Sequence, residues 1–126
     1  MFIPGGSITV SQSTFSANVA QGGNGGNASS GAYNGGHAGP ALGAGVFNNG
    51  GTVNLTNSTV TGNSMVGGLG GAAFCCGGTF SGNGGDARGA LYNVDGTMNV
   101  VLCTVNANSG TAGNYGGMIS SGAGNG

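Results

Sequence analysis

Apolar and polar side chains alternate along three stretches of the chain, in the same way each time. Ile8 and Val10 flank Thr9, Val53 and Leu55 flank Asn54, and Met98 and Val100 flank Asn99. After a short break, Phe15 stands between Thr14 and Ser16, Val60 between Thr59 and Thr61, and Val105 between Thr104 and Asn106. A period of two over runs rich in Val, Ile and Thr predicts half-buried β-strands with the apolar set facing a core. Glycine occurs throughout and no 3.6-residue period is present, so helices are not expected.

The three stretches are copies. GGSITVSQSTFSAN starts at Gly5, GGTVNLTNSTVTGN at Gly50 and DGTMNVVLCTVNAN at Asp95. Ser7, Thr52 and Thr97 hold equivalent places, so each step is 45 residues without a gap. The same register collects Phe2, Phe47 and Tyr92; Thr14, Thr59 and Thr104; Asn18, Asn63 and Asn108; and Asn48 with Asn93. Met1 aligns with Val46 and Leu91, so the sequence starts inside a repeat. This self-similarity predicts one repeat domain over residues 1–126, with repeats at about 1–45, 46–90 and 91–126.

The rest of each period is glycine-rich, as in QGGNGGNASSGAYNGGHAGPALGAG (21–45) and GGLGGAAFCCGGTFSGNGG (67–85). Gly22-Gly23-Asn24-Gly25-Gly26-Asn27 repeats every three residues, a period that suits polyproline II. A flexible glycine linker is the alternative. The presence of Tyr33, Leu42, Phe74, Phe80, Met118 and Ile119 in these segments favours ordered packing.

Charge narrows the function classes. Charged residues are 2% of the chain, namely Asp86, Arg88 and Asp95, against roughly 25% in ordinary globular proteins. One cationic side chain cannot neutralise several phosphates or dock on an anionic bilayer, so no nucleic-acid or membrane-surface partner is expected. No run approaches the ~20 apolar residues of a membrane span. The opening MFIPGGSITV lacks the basic and apolar regions of a signal peptide, although the composition is of an extracellular kind. Stacked repeats also explain the missing charge: like charges repeated every ~4.8 Å along a column repel one another.

Val46-Phe47-Asn48, then Gly51-Thr52-Val53-Asn54-Leu55, then Asn57-Ser58-Thr59-Val60-Thr61-Gly62-Asn63 resemble a family pattern. It is similar to the right-handed parallel β-helix repeats of bacterial surface proteins, the polymorphic outer-membrane and autotransporter-type adhesins, and it covers about half of each period. The resemblance implies an all-β parallel β-helix, or β-solenoid, with glycine-rich polyproline-II-like inserts, at a cell surface. Coils stacked at ~4.8 Å would turn equivalent positions into ladders: asparagines at Asn18, Asn63 and Asn108, aromatics at Phe2, Phe47 and Tyr92, threonines at Thr14, Thr59 and Thr104. Gly6, Gly51 and Gly96 are expected to hold the turn before the strand with positive φ. One strand-bearing coil plus a glycine-rich excursion per period is preferred over two coils. Three coils give about 15 Å of core height with open sheet edges at both ends. End-to-end stacking, between copies or with further repeats of the same chain, is the expected partnership.

No enzymatic, metal or cofactor chemistry is expected. Asp86 and Asp95 are the whole acidic inventory; Asp95-Gly96 is turn chemistry, and Asp86 and Arg88 read as a local surface pair. His37 has no second histidine, and the spacing of Cys75, Cys76 and Cys103 fits no zinc template. Cys103 is in register with Ser13 and Ser58, which reads as a small inward residue. A Cys75–Cys76 disulfide and a link from either to another chain both stay open. Three functions then compete. The first is an extracellular structural or adhesive solenoid, assembled end to end as a fibre or forming part of a longer stalk. The second is an ice-binding protein of the antifreeze kind, using the Thr59-Val60-Thr61 pattern. The third is a carbohydrate-binding β-helix touching cell-surface glycans through Tyr33 and Tyr115.

Overall fold

The computed structural model describes residues 1–29, 34–74 and 80–119, and every regular element among them is a strand. The first period contributes β1 (Phe2–Ile3), β2 (Ser7–Ser11), β3 (Thr14–Ser16), β4 (Val19–Gln21) and β5 (Ala41–Leu42). The second contributes β6 (Val46–Asn49), β7 (Thr52–Thr56), β8 (Thr59–Thr61), β9 (Ser64–Val66), β10 (Ala73–Phe74) and β11 (Ala87–Arg88). The third contributes β12 (Leu91–Val94), β13 (Thr97–Val101), β14 (Thr104–Asn106), β15 (Ser109–Thr111) and β16 (Met118–Ile119).

Strands pair with their equivalents one period away. Four sheets have three strands each, with the second-period strand in the middle: β1-β6-β12, β2-β7-β13, β3-β8-β14 and β4-β9-β15. Pairing is parallel in register, as in Ile8↔Val53↔Met98 and Phe15↔Val60↔Val105, so the 45-residue step of the sequence is the step of these sheets. The architecture is all-β, built of parallel strands stacked in threes, and is compatible with a β-solenoid.

The chain divides into two compact units, each drawing one segment from every period. The first unit takes Met1–Ala20, Leu42–Met65 and Arg88–Gly110. Its core is the inward set of the middle layer: Val46, Val53, Leu55 and Val60 are fully buried. Ile3 joins them, and Ile8, Phe15, Leu91 and Met98 pack against this cluster from the layers on either side. Burial of each such aliphatic side chain contributes roughly 1.5–3 kcal/mol, so the middle layer carries most of the hydrophobic stabilisation.

Two left-handed residues bend every layer in the same places. Gln12, Asn57 and Leu102 have φ of 49°, 47° and 53°, and Ala17, Gly62 and Ala107 have 53°, 63° and 49°. Five of these six are not glycine, so each is strained on its own. Stacking offsets the strain: Gln12 N–H donates to Thr56 O at 3.1 Å and Asn57 N–H to Val101 O at 3.1 Å. The turn before the long strand differs from expectation. Gly6 has positive φ, but at the later turns the left-handed residues are Gly50 and Asp95, one place earlier than Gly51 and Gly96. Gly51 is required instead by close approach, since a Cβ there would sit 2.7 Å from Ile3 Cγ2.

The second unit takes Gln21–Ala41, Val66–Ala87 and Thr111–Gly126. Its glycine-rich segments are ordered by hydrogen bonds that recur every third residue. Gly22, Gly25 and Ala28 donate to Val66, Leu69 and Ala72, and Gly67, Gly70 and Ala73 donate to Thr111, Asn114 and Gly117. Gly35, Ala38 and Ala41 donate in the same manner to Phe80, Asn83 and Asp86. A further set joins glycine to glycine, as in Gly68 N–H to Gly39 O at 3.2 Å and Gly71 N–H to Gly36 O at 2.9 Å. A Cβ on Gly71 would overlap the Gly26 carbonyl, whose carbon lies 2.6 Å away. Among the described residues no helix is long and apolar enough to cross a membrane.

Candidate functional site

Alternation in β7 and β8 turns Val53, Leu55 and Val60 inward, and the buried turn after β8 turns Asn63 inward beside them. An amide at full burial must have every polar atom satisfied, and Asn63 does. Its Nδ2 donates to Asn108 Oδ1 at 2.9 Å and to Phe15 O at 3.0 Å. Its Oδ1 accepts from Asn18 Nδ2 at 2.7 Å and Asn18 N–H at 3.1 Å. Asn108 repeats the pattern, with Nδ2 donating to Val60 O at 3.0 Å and Oδ1 accepting the Asn63 N–H at 2.9 Å. The column is therefore directional: Asn18 donates to the layer ahead, Asn108 to the layer behind, and Asn63 between them to both.

A second amide column is shorter. Buried Asn48 donates to Asn93 Oδ1 at 2.6 Å and to Gly51 O at 2.8 Å. In the first layer its place is taken by Ile3, which instead joins the apolar cluster. Ser13, Ser58 and Cys103 form a third column. Ser13 Oγ donates to Ser11 O, Ser58 Oγ to Thr56 O and Cys103 Sγ to Val101 O at 3.3 Å, so the thiol does what the hydroxyls do.

The aromatic residues stack. Phe2 and Phe47 have ring centroids 5.2 Å apart, and Phe47 and Tyr92 5.7 Å, both tilted. Arg88 Nη1 donates to the Tyr92 hydroxyl at 3.2 Å. Thr14, Thr59 and Thr104 pair in register and alternate with the inward Phe15, Val60 and Val105. Thr14 and Thr104 are exposed, and Thr59 and Thr61 are half-buried between the outer layers.

The third layer is unlike the second. Val100 and Val105 occupy the places of Leu55 and Val60, which have no exposed surface, yet they are 42% and 51% exposed. They are inward residues over which none of the described residues is laid.

In the second unit, the Gly-Gly-Asn triplet gains a physical meaning that the sequence alone did not reveal. Asn24 Oδ1 accepts the Leu69 N–H at 2.9 Å, Asn27 Oδ1 the Ala72 N–H at 2.8 Å and Asn34 Oδ1 the Phe80 N–H at 2.8 Å. His37 completes the series, its Nδ1 accepting the Asn83 N–H at 2.9 Å. Consequently every backbone N–H from Gly67 to Ala73 is bonded: 67, 70 and 73 to one neighbour, 68 and 71 to another, 69 and 72 to asparagine side chains. Tyr115 is 75% exposed. Tyr33, Cys75 and Cys76 lie outside the described residues.

Among the described residues no three His, Cys, Asp or Glu side chains gather where they could hold a metal ion. Comparison with family models, curated proteins and solved structures finds no match.

Proposed function

We propose that this chain is a structural element of an extracellular or cell-surface assembly: a β-solenoid whose glycine-rich inserts are polyproline-II rods, lengthened by laying further coils of the same kind on its ends as a fibre or an adhesive stalk. The observation that carries this reading is the contrast between Leu55 and Val60, fully buried, and Val100 and Val105, the same places left 42% and 51% exposed. Exposed inward residues and a free parallel edge at β13 and β14 are what a further coil would cover. The three-residue spacing of the glycine donors supports the polyproline-II assignment.

The test is a tandem chain of two copies joined through a nine-residue glycine-rich spacer, which keeps the 45-residue step from Leu91 to Met1 of the second copy. It should melt several degrees higher than the single chain, because the third coil gains a cover, and electron micrographs of concentrated protein should show rods or fibres. Identical melting of single and tandem chains, with only compact monomers on the grids, would contradict the reading.

One observation favours a second reading, ice binding. The Thr14, Thr59 and Thr104 column is uncharged, regular and set on paired strands, while its companion, Ser16, Thr61 and Asn106, is irregular. Absence of thermal hysteresis at high micromolar protein would end that reading.

A further inference from the structure

We propose that what covers the third coil is a second copy of this chain, docked through its first coil in the register that already joins one period to the next. This rests on the stacking reading above and adds the identity of the partner and the register of the contact.

Within the chain, Asn63 stands between Asn18 and Asn108, and its bonds define what each layer needs from the next. A layer supplies an N–H and an Nδ2 forward to the next Oδ1, and accepts at the carbonyl three residues earlier the next layer's Nδ2. The first coil brings these groups to the third. Asn18 Oδ1 of the second copy would accept from Asn108 N–H and Nδ2, and its Nδ2 would reach Val105 O, as Asn108 Nδ2 reaches Val60 O. The apolar places match as well. Val100 would meet Val10 of the second copy and Val105 would meet Phe15, repeating the step by which Leu55 meets Val100 and Val60 meets Val105. None of these contacts involves a charged side chain, so like can lie on like without repulsion.

The second unit points the same way on its own. Asn114 is in register with Asn24, whose Oδ1 caps the N–H of Leu69 in the next period. By the same geometry Asn114 would cap the N–H of Asn24 in the second copy. Asn93 meets a different neighbour, the Ile3 of the second copy, and its Nδ2 is already held by Gly96 O at 2.9 Å.

Cysteine cross-linking tests this in a chain with Cys75, Cys76 and Cys103 changed to serine. Thr14→Cys with Thr104→Cys puts thiols on neighbouring strands of two copies in the proposed register. Within one chain the two positions are two strand spacings apart, ~9.6 Å, too far to bridge. Thr9→Cys with Thr104→Cys is the out-of-register control. Mild oxidation should give a head-to-tail ladder of covalent oligomers for the first pair, at least tenfold more than for the control. Equal cross-linking of both pairs, or none in either, overturns the proposal. If none appears while the tandem chain still melts higher, stacking stands and the cover is a further coil of a longer chain. If the tandem chain gains nothing, the stacking reading falls too.

Discussion

Asn63 Nδ2 donates to Asn108 Oδ1 at 2.9 Å across a step of 45 residues, from a side chain with no exposed surface. Replacement by alanine would strip partners from Phe15 O, Asn108 Oδ1 and the Asn18 amides at once. Each buried polar group left unsatisfied costs ~1–3 kcal/mol, so Asn63→Ala should lose roughly 3–5 kcal/mol in chemical denaturation. Asn108→Ala frees the Asn63 N–H and Val60 O at a half-buried edge that water can reach, and should lose less, about 1–2 kcal/mol. Equal losses would mean that the ladder is not what stabilises the layers.

The apolar ladder makes a parallel prediction. Leu55→Ala empties a fully enclosed site and should cost roughly 2–5 kcal/mol. Val105→Ala, at a half-open site, should change the stability of the isolated chain by less than about 1 kcal/mol, while weakening any self-association measured by sedimentation.

Glycines of the second unit separate into two kinds. Gly71→Ala would drive a Cβ into the Gly26 carbonyl, with no flexible side chain to yield, and should cost roughly 2–3 kcal/mol or more. Gly23→Ala meets nothing within 4 Å and should be tolerated within about 0.5 kcal/mol. Thermal melts of the two variants check the contrast, and a flexible-linker state of this unit would show none.

His37 takes the place an asparagine takes in the neighbouring triplets, as an acceptor for the Asn83 N–H. His37→Asn should therefore retain stability, and His37→Ala should lose about 0.5–1.5 kcal/mol. The reverse order in a denaturation series would remove the capping role.

These cases show what sequence could and could not reveal. Register in the strand-bearing half is a counting property: once Ser7, Thr52 and Thr97 align, pairing of Val53 with Ile8 and Met98 follows, because the coils keep a 45-residue step there, whereas the caps at Asn34 and His37 span 46 residues. Turn conformation is not a counting property. Glycine marked the bend near Gly51, but the left-handed residues are Gly50 and Asp95, and Gly51 is glycine because Ile3 lies against it. The caps at Asn24, Asn27, Asn34 and His37 depend on segments meeting from different periods. Only the recurrence of Asn at every third place after paired glycines pointed to them, and His37, read in isolation, did not look like part of that series.

Both halves of the period are stacked order, strand ladder and glycine-rich segment alike. Residue-resolved amide hydrogen exchange separates stacked order from a flexible glycine segment. Gly68 and Gly71, whose N–H groups are bonded to Gly39 and Gly36, should exchange as slowly as the amides of Val53 and Leu55 in the middle strand. Exchange at free-peptide rates through residues 67–73, beside a protected strand ladder, would contradict it.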